Sequence, residues 1–266
     1  MFYNLKESSV KIGNTHMDYA VFGKGKTPLV MIPGLSLRDV KGAGWGLAIG
    51  YSIFAKDYRV YVFDKKADVP DGYSVKDIAD DTVSAMRALG IERAHIFGTS
   101  LGGMVAQYIA VYYPEIVDKL ILAVTTARNN EVVSTVVGGW IDCAERGDLS
   151  FIANEMLGQL YSEELARKYG KIMPLIAKFY IPKDMPRFIR MARACLTVDI
   201  LDRLCDIKAP TLVLGGERDK IVGGFASYEI AERIPDARIY MYEKYGHSAY
   251  DEAPDFNKRI LDFISQ

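Results

Sequence analysis

Runs dominated by apolar residues alternate with stretches of helical periodicity along most of the chain. The apolar runs are typical of strands buried in a parallel sheet, and they predict strands at 28–32, 58–63, 94–97, 119–124, 211–214 and 238–242. Helices are predicted between and after them, at 75–89, 101–113, 225–234 and 254–264. The alternation predicts an α/β fold whose mainly parallel sheet is covered by helices on both faces.

Both ends of the chain carry local signals of their own. Strands at 9–12 and 17–22 flank the turn Gly13-Asn14-Thr15, whose residue types tolerate turn conformations, and predict a hairpin. The last helix is predicted to begin at Pro254, because proline is tolerated at the first helical position.

The regular alternation breaks between 126 and 210, an interval far longer than a crossover needs. We therefore predict a helical cap at 128–195, inserted into a core formed by 1–127 and 196–266. Asp148, Ser162 and Asp184 are the predicted N-caps of cap helices.

Two glycine-containing segments resemble phosphate-binding loops only superficially. Gly25-Lys26-Thr27 lacks the leading glycine of such a loop and precedes a strand instead of a helix. Gly42, Gly44 and Gly46 follow no predicted strand directly, so we interpret them as a flexible loop and not as a dinucleotide site.

Composition restricts the class of partner. The 266 residues are 50% hydrophobic and carry a formal net charge of −1, without a basic tail. Nucleic acid and anionic membranes are therefore not expected as partners. Residues 1–11 show no signal-peptide pattern and the weakly polar stretch 43–55 is too short to span a bilayer, so we expect a cytoplasmic protein. The sequence leaves homo-oligomer formation open.

Cysteines and histidines are few. Cys143, Cys195 and Cys205 show no Cys-x-x-Cys spacing, and the three histidines form no zinc-binding motif. We therefore expect neither a metal site nor a cofactor.

Chemistry is concentrated where a predicted strand meets a predicted helix, in Gly98-Thr99-Ser100-Leu101-Gly102. Gly-x-Ser-x-Gly in this setting is typical of a nucleophile elbow, in which a strained turn lifts the serine hydroxyl clear of the sheet and only tiny residues fit two positions away. The Leu101 N–H, at the start of the helix, is then a candidate oxyanion donor.

Other candidate groups also follow predicted strands, and so lie at the same edge of the sheet as Ser100. His247 is the candidate base, because His16 lies in the hairpin and His95 lies at the start of the elbow strand. The acid is Glu217 or Asp219, which spacing alone does not separate. Leu35 follows a neighbouring strand, and its N–H is the second candidate oxyanion donor.

The chain resembles the α/β-hydrolase superfamily, in its branch of small soluble esterases, enol-lactonases and cofactor-free haloperoxidase-like enzymes. The likeness rests on Gly98–Ala106, on Pro210–Asp219 and on Gly246-His247, in the order nucleophile, acid, histidine. The resemblance implies that Asp219 is the acid. Two features depart from the family pattern: Pro33-Gly34 stands where most relatives have His-Gly, and 65–71 lacks the usual Arg-Gly pair.

We therefore predict a serine hydrolase that cleaves an ester, lactone or thioester of a small acyl substrate through an acyl-enzyme. Its predicted triad is Ser100, His247 and Asp219, with Leu35 and Leu101 as the oxyanion hole. A ligand receptor with an idle triad remains an alternative, as do acyl transfer, perhydrolysis and carbon–carbon bond hydrolysis at the same serine.

The insertion supplies candidate lining for the acyl pocket. Its large apolar side chains are Trp140, Met156, Leu160, Met173, Phe179, Tyr180, Phe188 and Met191, which we expect to form the cap core and the pocket wall. Basic residues exceed acidic ones over 163–193, a pattern that either steers an anionic substrate or forms a solvated helix face.

Overall fold

The strands form a single sheet in the computed structural model of the chain, which describes residues 2–36, 39–148, 158–159, 167–168 and 184–266. They are β1 (Lys6–Ile12), β2 (Thr15–Phe22), β3 (Thr27–Ile32), β4 (Tyr58–Lys66), β5 (Ala94–Thr99), β6 (Val117–Ala123), β7 (Thr211–Gly216) and β8 (Ala237–Tyr242). Their order is β1-β2-β4-β3-β5-β6-β7-β8. The pairs β1–β2 and β2–β4 are antiparallel and the other pairs are parallel, which confirms the predicted fold class.

Helices in the described ranges follow the strands as expected of an α/β fold. They are α1 (Gly44–Gly50), α2 (Val75–Ala88), α3 (Leu101–Tyr112), α4 (Glu131–Glu145), α5 (Met185–Cys195), α6 (Phe225–Arg233), α7 (Ala249–Glu252) and α8 (Phe256–Ile264). Short 3₁₀ turns lie at Phe2–Asn4, Ser52–Phe54, Pro114–Ile116 and Leu201–Asp206. None of the helices described is long and apolar enough to cross a bilayer.

The two faces of the sheet carry separate apolar cores, because successive side chains of a strand point to opposite faces. In β3, Val30 and Ile32 pack with α2 and α3, whereas Leu29 and Met31 pack with the face that holds α1 and α8. The central strands β3 and β5 to β7 are therefore buried on both faces, as the apolar runs predicted, whereas the edge strands β1 and β8 keep exposed side chains.

The interpretation as a flexible loop is wrong for Gly44 and Gly46, because both lie in α1, whereas Gly42 lies in the turn before it. The Gly44 N–H donates to Glu7 Oε1 at 2.7 Å, and Ala48 is fully buried against the sheet. These tertiary contacts override the low helix propensity of glycine.

The predicted start of the last helix at Pro254 is also wrong, because Pro254 lies between α7 and α8. Ala253 before it has φ −81° and ψ 117°, the extended conformation that a following proline favours. The chain therefore turns at this proline, and α8 begins only at Phe256.

The chain leaves and re-enters the core at adjacent points. Asn129 N donates to Val198 O at 2.8 Å, and Ile200 N donates to Ala127 O at 2.8 Å. Between these points, α4 and α5 pack on each other. The boundaries at 128 and 195 stay predictions, and most of 149–183 lies outside the described residues.

Of the predicted cap N-caps, Asp184 is confirmed, since its Oδ1 accepts the Arg187 N–H at 2.9 Å. Ser162, and the helix that Asp148 was predicted to cap, lie outside the described residues.

Candidate active site

Ser100 lies in the sharp turn between β5 and α3, in a conformation that side chains rarely adopt. Its φ is 53° and its ψ is −121°. A positive φ at a residue other than glycine is a local strain that the surrounding structure must impose.

The glycines two positions before and after Ser100 make this turn possible. A Cβ on Gly98 would lie 2.2 Å from Gly102 O, and a Cβ on Gly102 would lie 1.7 Å from Ile32 O. These contacts are with backbone atoms, so no side-chain rotation relieves them. The elbow therefore needs glycine at both positions.

We expect Gly102→Ala to destabilise the protein by about 3 kcal/mol, the upper end of the typical range for overpacking, because the added methyl forces β3 and α3 apart. Chemical denaturation measures this. Gly46→Ala is the matched control: Gly46 lies in α1 with nothing within 4 Å of the added Cβ. It should stabilise the protein by roughly 0.5–1 kcal/mol. Equal stability of Gly102→Ala and the wild type would contradict the packing described here.

Ser100, His247 and Asp219 form one hydrogen-bonded chain. His247 Nε2 lies 3.0 Å from Ser100 Oγ, and His247 Nδ1 lies 2.8 Å from Asp219 Oδ2. His247 is 3% exposed and Asp219 is 7% exposed, so little water competes for these bonds. With the Nδ1–H donating to Asp219, Nε2 is free to accept the serine proton.

Asp219 is held in place by backbone donors. Its Oδ1 accepts the N–H groups of Ile221 at 2.8 Å and of Val222 at 3.0 Å, which leaves Oδ2 for His247. Glu217 instead accepts a hydrogen bond from the Tyr228 hydroxyl. Spacing alone does not decide which of the two carboxylates contacts the histidine. In the structure, Asp219 is hydrogen-bonded to His247 and Glu217 is not.

The other histidines lie away from Ser100. His16 is exposed on β2, and His95 lies at the opposite end of β5, with Nδ1 3.3 Å from Asp118 Oδ2. Burial lowers the pKa of His95, so its ring is neutral near pH 7.

We expect Asp219→Asn to reduce kcat by on the order of 10⁴-fold, because an amide at this position favours the wrong histidine tautomer. Steady-state hydrolysis of an activated ester measures the loss. Glu217→Gln is the control from the same turn and should keep wild-type kcat. Wild-type activity in Asp219→Asn, or an equal loss in Glu217→Gln, would reject Asp219 as the acid.

The two predicted oxyanion donors, Leu35 and Leu101, lie on segments next to Ser100. Leu101 is the first residue of α3, where backbone N–H groups have no intrahelical acceptor. Leu35 lies in the loop after β3, which is the neighbour of β5 in the sheet. The Gly34 backbone in this loop lies against the nucleophile: a Cβ on Gly34 would be 3.1 Å from Ser100 Cβ.

Sequence reasoning missed two polar residues around this site. The Thr125 hydroxyl donates to Ser100 O at 2.7 Å and so supports the strained turn. Lys65 is buried and donates to two carbonyls of the loop that contains Leu35. A signal for Lys65 is its position near the carboxyl end of a buried strand. The predicted strand ends at residue 63, whereas β4 continues to Lys66 and so includes Lys65.

A cavity of ≈ 190 Å³ opens over Ser100 and His247. Its other walls are formed by the loop 33–36 and by Tyr51, Thr99, Trp140, Ile221 and Tyr250. Burial raises the pKa of Tyr51, so its hydroxyl stays protonated and is available as a hydrogen-bond donor.

Trp140 is thus part of the pocket wall, as predicted. Phe188 and Met191 are buried in the core cluster that includes α4 and α5. The remaining predicted lining residues, Met156, Leu160, Met173, Phe179 and Tyr180, lie outside the described side chains.

The arginines of α5 form ion pairs with carboxylates of neighbouring elements. Arg187 pairs with Asp64 at 3.1 Å, Arg190 with Asp71 at 2.7 Å and Arg193 with Glu145 at 2.5 Å. In this part of 163–193, the positive charges of the arginines are therefore offset by carboxylates of neighbouring elements.

In the described parts of the chain, no group of three or more His, Cys, Asp or Glu residues is placed to hold a metal ion.

Comparison with known proteins gives relatives along almost the full chain. "Putative carbamate hydrolase RutD" of Serratia proteamaculans (strain 568) is 25% identical, over 93% of this chain and 96% of its own length. The 2-hydroxy-6-oxo-6-phenylhexa-2,4-dienoate hydrolase of Comamonas testosteroni is 28% identical, over 82% of this chain and 78% of its own.

A solved structure shares the fold. The enol-lactonase from Burkholderia xenovorans LB400 superposes with a TM-score of 0.84 at 20% identity, over 97% of this chain and 100% of its own. The sequence model of the alpha/beta hydrolase fold matches residues 27–254, an interval that contains the elbow, the carboxylate turn and the histidine. The chain therefore belongs to the alpha/beta hydrolase fold family and is related to hydrolases.

Proposed function

We propose that the protein is a serine hydrolase that cleaves a carboxylic ester, lactone or thioester through an acyl-enzyme. The observation that carries the proposal is the hydrogen-bonded chain Ser100–His247–Asp219, in which His247 and Asp219 are buried and Ser100 lies at the strained elbow. A serine hydroxyl is a weak nucleophile unless a neighbouring imidazole accepts its proton. A role in binding alone would not need this arrangement.

In the proposed first step, Ser100 Oγ attacks the acyl carbon and its proton moves to His247 Nε2. The N–H groups of Leu35 and Leu101 stabilise the negative oxygen of the tetrahedral intermediate. Asp219 stabilises the imidazolium that forms. The intermediate then collapses: His247 gives its proton to the leaving oxygen or sulfur, and the acyl group stays on Ser100.

The second half-reaction repeats these roles with water. His247 accepts a proton from water as the water oxygen attacks the acyl carbon, and the same two N–H groups stabilise the second oxyanion. Collapse returns the proton to Ser100 Oγ and releases the carboxylic acid. The enzyme thus ends in its starting state.

The names of the relatives support hydrolysis but disagree on the bond. One is named for a carbamate and one for a hydroxy-oxo-dienoate. A serine nucleophile can also take part in the hydrolysis of a carbon–carbon bond. Carbon–carbon bond hydrolysis is therefore the second candidate function, and the name of the Comamonas relative favours it.

The test is hydrolysis of p-nitrophenyl esters of increasing acyl length, followed from the first turnover. We expect a burst of p-nitrophenol, because an activated ester should acylate Ser100 faster than water releases the acid from the acyl-enzyme. A parallel assay replaces the ester with a 2-hydroxy-6-oxo-dienoate. Turnover of the dienoate without ester hydrolysis would favour the second candidate, and no turnover of either by folded protein would favour the receptor alternative.

A further inference from the structure

One buried ammonium group binds two carbonyls of the loop beside Ser100. Lys65 Nζ lies 2.6 Å from Pro33 O and 2.9 Å from Gly34 O, and Lys65 is only 6% exposed. Burying a charged lysine is costly unless it gains strong hydrogen bonds. These two hydrogen bonds are charge-assisted, and they fix the position of Pro33 and Gly34, the first two residues of the loop after β3.

The second of these carbonyls belongs to the same amide as the Leu35 N–H. A trans peptide is planar, so its carbonyl and its N–H point in opposite directions. A donor that holds Gly34 O therefore also sets the direction of the Leu35 N–H. The positive charge at the carbonyl polarises the amide and strengthens the N–H as a donor.

The residue before Lys65 holds the far end of the same loop. Asp64 Oδ2 accepts the Val40 N–H at 2.8 Å. Consecutive residues at the end of β4 thus bind the loop near its beginning and at its end. These contacts link the described parts of the loop to the end of β4.

The charged groups around Lys65 come from several elements. Asp64 lies beside it on β4, and Arg187 of α5 donates to Asp64 Oδ1 at 3.1 Å and to Lys65 O at 2.9 Å. Asp39 lies 3.6 Å from the other side of that guanidinium. Cys195 of α5 also faces Lys65, and burial raises the pKa of its thiol to about 12, so it is uncharged.

We propose that Lys65 is a positioning residue for the reaction: its ammonium group orients and polarises the Gly34–Leu35 amide, so that the Leu35 N–H stabilises the oxyanion. This inference rests on the proposed function, because the oxyanion arises only when Ser100 Oγ, or water in the second step, attacks the acyl carbon, or when Ser100 Oγ attacks a phosphonyl group. Lys65 acts through the loop and does not touch the substrate.

The first test is Lys65→Met, which keeps most of the length of the side chain and removes its donors. Loss of one oxyanion donor typically costs about 10²- to 10³-fold, so we expect kcat to fall by on the order of 10²-fold with little change in KM. The rate at which a fluorophosphonate labels Ser100 should fall with kcat, because that reaction uses the same oxyanion hole.

Lys66→Met is the matched control from the next position of the strand. Lys66 Nζ binds Asp81 Oδ2 at 2.9 Å and lies over the Tyr73 ring, away from the loop at Pro33. Its loss removes an ion pair without touching the amide of Leu35. We expect kcat and labelling rate of Lys66→Met to stay within about threefold of the wild type.

The second test is the pH profile, which needs no variant to fold. Burial lowers the pKa of Lys65 to about 8, partly offset by the charge of Asp64. The ammonium is therefore present below pH 8 and lost above it, and a neutral amine is a weaker donor. We expect the kcat of the wild type and of Lys66→Met to fall to a lower plateau with an apparent pKa near 8. Lys65→Met should lack this step.

The outcomes separate the two proposals. Wild-type protein that is neither labelled nor active overturns the proposed function and this inference with it. Labelled, active wild type overturns the inference alone if Lys65→Met reacts at the wild-type rate, or if wild-type kcat shows no step near pH 8. If Lys65→Met does not fold, the wild-type profile decides.

Discussion

Ser100→Ala is expected to lower kcat by on the order of 10⁶-fold, to the level that binding and the oxyanion donors support without a nucleophile. The change removes one oxygen and adds no atom to the crowded elbow, so the fold should persist. Ser100 Oγ is bonded to His247 at 3.0 Å, and loss of that bond leaves the histidine with its Asp219 contact intact. Ester hydrolysis with thermal unfolding alongside measures both effects.

Ser84→Ala is the control for this variant. Ser84 is exposed on α2 and its hydroxyl donates to Asp80 O at 2.8 Å, a bond within its own helix. It should leave kcat unchanged. Ser100→Ala that retains even a tenth of wild-type turnover would contradict the assignment of the nucleophile.

His247→Gln is expected to cost a similar factor, on the order of 10⁵- to 10⁶-fold in kcat. Glutamine is preferable to alanine, because an amide can still donate to Asp219 and avoids leaving a buried carboxylate unpaired. The variant keeps Ser100 and both oxyanion donors but has no base to accept the serine proton. Single-turnover acylation measures the lost step directly.

His16→Gln controls for the loss of an imidazole. His16 is exposed on β2, remote from the elbow, and should leave acylation unaffected. If His247→Gln acylates at the wild-type rate, His247 is not the base, and the proposed mechanism is wrong.

Local sequence signals predicted the parts of the site that depend on local structure. At Gly98 and Gly102, neighbouring backbone atoms lie so close that a Cβ would clash with them, so only glycine fits. The five-residue pattern around Ser100 therefore predicts the elbow. Strand ends bring Ser100 and His247 to one edge of a parallel sheet, so their proximity also followed from the apolar runs.

The parts that local sequence patterns left open or missed depend on contacts between distant segments. Glu217 and Asp219 share one turn, and only the path of the backbone decides that Asp219 reaches His247. The role of Lys65 depends on a side chain that crosses from β4 to the loop after β3, and no local pattern encodes that contact. The helix at Gly44 depends in the same way on Glu7, far away in the chain.

The most direct test of the central claim is the intact mass of the protein after reaction with a fluorophosphonate, followed by mapping of the labelled peptide. The account predicts one adduct on the wild type, located on Ser100, with no adduct on Ser100→Ala and slow labelling of His247→Gln. A folded wild type that gains no adduct, or gains it at another residue, would contradict the claim that Ser100 is an activated nucleophile.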